Sequence, residues 1–134
     1  MTPTIAAVIF VAIDLIWLGV IASKLYSKEL GYLGTLKNGS MTFNLPVGLL
    51  TQVIIGVGLA AIITLALSHE NSWVEAAFFG TLTGFVIYAT YDLTNLSYIK
   101  GWPVMITVID IAWGSLQGFL ASIYVYGRYQ WLFK

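Results

Sequence analysis

Four apolar runs divide the chain, at residues 4–22, 45–67, 73–93 and 103–126. Each is about 20 residues long, the length a helix needs to cross about 30 Å of hydrocarbon. Pro46 and Pro103 stand at the starts of the second and fourth runs, where the first helical turn leaves its N–H unused. The first run differs from a signal peptide. It has no basic segment ahead of it, it is too long, and Asp14 lies at its centre. The pattern predicts an all-α fold with one domain, residues 1–134, built as an integral membrane antiparallel four-helix bundle. Gly80 and Gly84, like Gly56 and Ala60, have the small-xxx-small spacing that lets helix backbones approach closely.

The polar residues that interrupt these runs are more informative than the runs. Asp14, Asp92 and Asp110 lie inside them, Asp92 nearest an end, with no Lys or Arg. An acid at the bilayer centre costs about 2.5–3.5 kcal/mol on insertion scales. Without an internal base, each must be protonated, hydrogen-bonded, hydrated or bound to a cation. At 1.5 Å of rise per residue, Asp14 lies about 12 Å and Asp110 about 10 Å from the same end of the bundle. Gln52 and Tyr88 fall at similar depth. Every helix thus offers a polar side chain to one layer. Asp14 and Trp17 share a helix face. So do Asp110, Trp113 and Gln117, and so do Tyr88, Asp92 and Asn95, with Tyr91 beside them. Lipid offers these stripes no partner, so they are expected to face inward. Trp and Tyr suit such a layer because each joins a large apolar body to one polar hydrogen. Asp14-Leu-Ile-Trp17 and Asp110-Ile-Ala-Trp113 repeat the pattern D-x-x-W, which suggests a shared local role for an Asp–Trp pair.

Composition agrees with a bilayer setting. Hydrophobic residues make up 59% and charged residues 9% of the chain, against about 25% charge in ordinary soluble domains, and mean hydropathy is +0.88. Formal net charge is zero, which argues against a nucleic-acid partner. With no cysteine, disulfides and thiolate chemistry are excluded. His69, the single histidine, stands beside Glu70 in a turn expected to be solvated, a poor metal site. Glu75 opens the third run, where a carboxylate suits the helix dipole. No P-loop, G-x-S-x-G or H-E-x-x-H motif is present, so no cofactor or catalytic group is indicated.

Four spans place both termini and the turn at residues 68–72 on one face, the terminal face. The connections at residues 23–44 and 94–102 then lie on the opposite, loop face. Tyr26, Tyr32, Tyr98 and Trp102 fall near the loop face, and Trp73, Tyr124, Tyr126, Tyr129 and Trp131 near the terminal face, as an aromatic belt would. Leu30, Leu33 and Leu36 recur at three-residue spacing and suggest a short helix on the membrane surface. Asn38-Gly39 reads as a turn.

Asp14 to Gly19, Tyr88 to Asn95, Lys100-Gly101-Trp102-Pro103 and Asp110 to Gly114 resemble the motifs of small bacterial four-span proteins, the family catalogued as domain of unknown function 2177. The resemblance spans essentially the whole chain. Tyr-Asp-Leu-Thr-Asn and the following Gly-Trp-Pro are its most specific part. It implies a four-helix membrane protein of the bacterial cytoplasmic membrane. Family members often carry Phe-Tyr in the second span, whereas this chain has Leu50-Thr51-Gln52-Val53.

Three functional readings follow. In the first, the layer of Asp14, Trp17, Gln52, Tyr88, Tyr91, Asp92, Asn95, Asp110, Trp113 and Gln117 forms a proton- or cation-linked site that binds or transports a small molecule. Four helices enclose a pathway poorly, so transport implies a homodimer. In the second, paired carboxyls near the interface act as acid and base on lipid, or the protein is an accessory to lipid-modifying enzymes. Neither a nucleophile nor a metal site supports that. In the third, the layer only fixes helix packing.

Lys24, Lys28, Lys37 and Lys100 are on the loop face, against Arg128 and Lys134 on the other. Positive charge marks the cytoplasmic side, so both termini are expected outside. A reporter fused to the C-terminus should be active outside the cytoplasm, and a cytoplasmic signal would overturn this orientation.

Overall fold

The computed structural model describes residues 2–42, 44–69 and 72–133. Its elements are α1 (Thr2–Ile16), running into a π-helical turn (Trp17–Ile21), α2 (Ser23–Leu30), a hairpin of β1 (Leu36–Lys37) and β2 (Ser40–Met41), then α3 (Leu45–His69), α4 (Trp73–Tyr98) and α5 (Val104–Phe133). The three long helices α3, α4 and α5 are each long and apolar enough to cross a membrane. Val8–Ile21 and Ser23–Leu30 meet at a bend of 66° and pass the same test of length and apolarity only when the two are taken together.

Each long helix outruns its apolar stretch: α3 reaches His69, α4 Tyr98 and α5 Phe133. Intrahelical hydrogen bonds do not stop where the hydrocarbon does, and these extensions lack an interior proline to end them. Asp92 therefore lies deeper in α4 than an end at Leu93 implied.

The first connection differs from expectation. Its helix begins at Ser23 and ends at Leu30, so Leu33 and Leu36 fall beyond it and are half-exposed. Gly31 and Gly34 disfavour further helix, and the chain turns back through Asn38 and Gly39, both at positive φ, to pair Lys37 with Ser40 and Leu36 with Met41. Helix α2 has its own amphipathic logic. Tyr26 and Leu30 are buried at i, i+4 spacing, following buried Ala22, while Lys24 and Lys28 face outward. Ser27 Oγ accepts a 3.0 Å hydrogen bond from the Met41 N–H, which ties the hairpin to α2.

Packing falls into three tiers. Toward the terminal face, Phe10, Leu59, Ile63, Leu67, Ala121 and Val125 form an apolar cluster. Toward the loop face, Ala22, Tyr26, Leu30, Trp102 and Ile106 form another. On α1 and α5 the polar residues lie between these clusters. Helices α4 and α5 run antiparallel and nearly touch backbone to backbone. A Cβ on Gly84 would stand 2.0 Å from the Gly114 carbonyl oxygen, and one on Gly118 would stand 2.0 Å from that of Gly80. Ser122 Oγ donates across the same seam to the Ala76 carbonyl at 2.7 Å. Gly80 and Gly84 thus meet a matching pair, Gly114 and Gly118, whose spacing is the same signal on the partner helix. The glycine at 114 has a second use, because a Cβ there would lie 2.2 Å from the Tyr88 ring.

Gly118→Val should force α4 and α5 apart and destabilise the protein by about 1–3 kcal/mol, the usual cost of overpacking. Gly48, where a Cβ would meet nothing within 4 Å, is the control: Gly48→Ala should stabilise by about 0.5–1 kcal/mol through helix propensity. Denaturation in detergent measures both, and equal effects at the two sites would refute the close-approach account.

Candidate functional site

Asp14 is the point on which the helices converge. It is 1% exposed. Its Oδ1 accepts hydrogen bonds from Trp113 Nε1 at 3.0 Å and Gln117 Nε2 at 2.7 Å. Those two donors are one turn apart on α5, so one helix face supplies both. Tyr88 from α4 and Gln52 from α3 also interact with this carboxyl. One acid on α1 thereby gathers a polar side chain from each of α3, α4 and α5.

The D-x-x-W echo acquires a geometric meaning. The indoles of Trp17 and Trp113 stack with centroids 4.2 Å apart and planes 10° from parallel. Each then serves the other motif's acid. Trp113 donates directly to Asp14. Trp17 Nε1 donates to the Tyr26 hydroxyl at 3.3 Å, and that hydroxyl donates to Asp110 Oδ1. The crossed arrangement locks α1 to α5 at the level of the acids.

Tyr26 was placed in the interfacial belt by its position after the first run. The structure brings it into the layer because the bend after the π turn folds α2 back over the bundle. The signal was present in the sequence: Ala22, Tyr26 and Leu30 share one helical face. Thr107, 3% exposed, was also missed, and it accepts a hydrogen bond from Trp102 Nε1 at 3.1 Å.

Asp92 behaves differently from the other two acids. It is 0% exposed, and among the described residues neither carboxyl oxygen has a hydrogen-bond partner. Asn95, 5% exposed, accepts from the Tyr98 hydroxyl at 3.2 Å, but its Nδ2 finds no acceptor among them. Asp110 lies within electrostatic range of both Asp92 and Asp14. Among the described residues, no cluster of three acidic, His or Cys side chains is close enough to hold a metal ion.

One expected member is outside the layer. Tyr91 is 63% exposed and meets the Trp102 ring edge-on at 6.3 Å. A helix turns 100° per residue, so burial of Asp92 swings its neighbour outward. His69 is exposed at the end of α3, and Glu70 lies outside the described residues. A cleft of about 150 Å³ opens between the π turn and the start of α3, lined by Leu15, Leu18, Gly19, Gly48 and Leu49 and reaching Gln52.

The exterior is as apolar as the core. Val8, Leu50, Ile54, Leu65, Val74 and Val108 are all more than 60% exposed, an arrangement that water would penalise and lipid would not. Long apolar helices, a lipid-compatible surface and polar groups turned inward define a helical multi-pass membrane protein. The chain belongs to the family described as "Predicted membrane protein (DUF2177)", which matches residues 1–127. Neither a curated protein nor a solved structure matches the chain.

Tyr26→Phe should leave Asp110 without its donor and Trp17 without its acceptor. The expected loss of stability is about 1–3 kcal/mol. Adding Asp110→Leu should recover part of that loss, because removing both partners is cheaper than orphaning one. Unfolding of the single and double variants in detergent checks this, and simple additivity would dismiss the Tyr26–Asp110 bond as a coupling.

Proposed function

We propose that the protein is a four-span bundle of the bacterial cytoplasmic membrane in which α1 and α2 form one bent crossing, and that its buried acid layer is a proton- or cation-linked binding site for a small molecule. The observation that carries this reading is Asp92: fully buried, with both oxygens unpartnered. A layer built only to fix packing would pair its acids, as an unpaired polar group in hydrocarbon is costly. Intramembrane acids without an internal base are retained where a proton, cation or ligand completes them. Tyr26 and α2 close the layer on the loop side, so exchange with that side requires α2 to move. Transport through this site requires a second copy of the chain to complete a pathway.

The structural reading keeps one specific foothold. Asp14 Oδ1 is doubly hydrogen-bonded and ties α1 to α5. Asp14 therefore contributes to helix registry as well as to the site.

The stacked indoles supply a built-in probe. Trp emission of the detergent-purified protein should titrate between about pH 4 and about pH 9, a window that spans free and perturbed carboxyl groups. Asp92→Asn and Asp110→Asn should each alter that titration while far-UV circular dichroism stays helical. Asp92→Leu should go further and raise resistance to unfolding, since it removes an unpartnered buried acid. An emission that is flat with pH, or indifferent to both Asn variants, would overturn the proposal.

A further inference from the structure

The layer's open hydrogen-bonding positions have a sign. Among the described residues, Gln52 Oε1, Gln117 Oε1 and both oxygens of Asp92 are acceptors without a donor; against them stands one donor without an acceptor, Asn95 Nδ2. Gln117 is 2% exposed and already spends its amide nitrogen on Asp14, which leaves its oxygen open inside the layer. No Lys or Arg lies within the apolar runs. An anion, a phosphate headgroup or another acceptor-rich group would meet oxygen on nearly every side. A cation bearing N–H groups meets what the layer lacks.

The approach to the layer adds a second constraint. The cleft between the π turn and α3 has walls of Leu15, Leu18 and Leu49 and ends on Gln52. Gln52 lines the cleft and also interacts with the Asp14 carboxyl, so it joins the two. Gly19 and Gly48 leave the cleft open: a Cβ at either would meet no atom within 4 Å. The π turn that carries Gly19 is a rare element found mostly at functional sites. The walls are apolar, and Gln52, the one polar side chain that lines the cleft, stands between it and Asp14.

We propose that the acid layer takes an amphiphilic organic amine, with its N–H groups among Gln52, Asp14 and Gln117 and its apolar chain in the cleft between the π turn and α3. This rests on the reading of the layer as a ligand site and names the class of ligand. Three features of that ligand are fixed by the geometry. Its positive charge answers the acids, its N–H groups answer the open oxygens, and its chain answers the leucine walls.

The test uses the full chain in phosphatidylcholine nanodiscs, with calorimetric titration of hexylammonium corrected against protein-free discs. Hexylammonium should bind saturably. Hexyltrimethylammonium, equal in charge but without N–H donors, should bind at least about tenfold more weakly, as loss of charge-assisted hydrogen bonds implies. Hexanesulfonate should not bind. Gly48→Leu, which fills the cleft at a position with open space, should weaken hexylammonium by at least about tenfold with no loss of thermal stability. Equal binding of all three probes overturns the donor argument, and full binding to Gly48→Leu overturns the cleft. If no amine binds but Trp emission still titrates through Asp92 and Asp110, the amine is wrong and the acid-layer reading stands. If the titration is absent as well, both fail.

Discussion

A carboxyl group buried among apolar helices needs a partner, and the apolar runs of this chain hold no Lys or Arg to provide one. Most of the architecture at the loop side follows from that constraint. Asp14 draws a donor pair from α5 and polar neighbours from α3 and α4. Asp110 draws Tyr26 out of the connecting segment. The partners are Trp, Tyr and Gln, side chains that donate a hydrogen bond without carrying a charge of their own. The result is a polar tier held between two apolar ones, where each tier fixes the depth of the next.

The seam between α4 and α5 shows how a close approach and a site share one pair of helices. Toward the terminal face the stripe on α4 is Ala76, Gly80 and Gly84, and it lies against Ser122, Gly118 and Gly114. Toward the loop face the same α4 stripe becomes Tyr88, Asp92 and Asn95. Small residues bring the backbones together at one end, and that contact places the large polar side chains at the other. Gly114 marks the transition, because its missing side chain is the space the Tyr88 ring occupies. A packing motif thereby sets the position of a chemical one.

The π turn does comparable work for the first helical segment. It takes over from α1 at Trp17, whose indole stacks on that of Trp113, and the backbone then turns by 66° into α2. That turn returns Tyr26 to the layer and leaves Gly19 on the open side of the cleft. One local distortion therefore closes the bundle over Asp110 and leaves access beside Gln52.

Much of this was legible in the sequence. The apolar runs of α3, α4 and α5 and the inward stripes of Asp110, Trp113 and Gln117 and of Tyr88, Asp92 and Asn95 follow from helical period and the cost of polar groups in lipid, both of which act locally. The D-x-x-W echo was legible as a pattern. That the two indoles stack and cross to each other's acids was not, because it depends on how α1 and α5 meet. Tyr26 was hidden by the bend, and a bend of this kind is set by what α2 can bury rather than by any residue that breaks a helix. Tyr91 was drawn into the layer by its neighbours and excluded by 100° of rotation, which becomes decisive once the facing helix fixes where Asp92 points. The sequence by itself determined the class of the protein, its apolar helices and the identity of its acids, since hydrophobicity and periodicity are properties of the chain. Tertiary structure decided which acids are satisfied and which are left open, since a hydrogen bond between α1 and α5 depends on two segments about a hundred residues apart arriving at the same depth and facing each other.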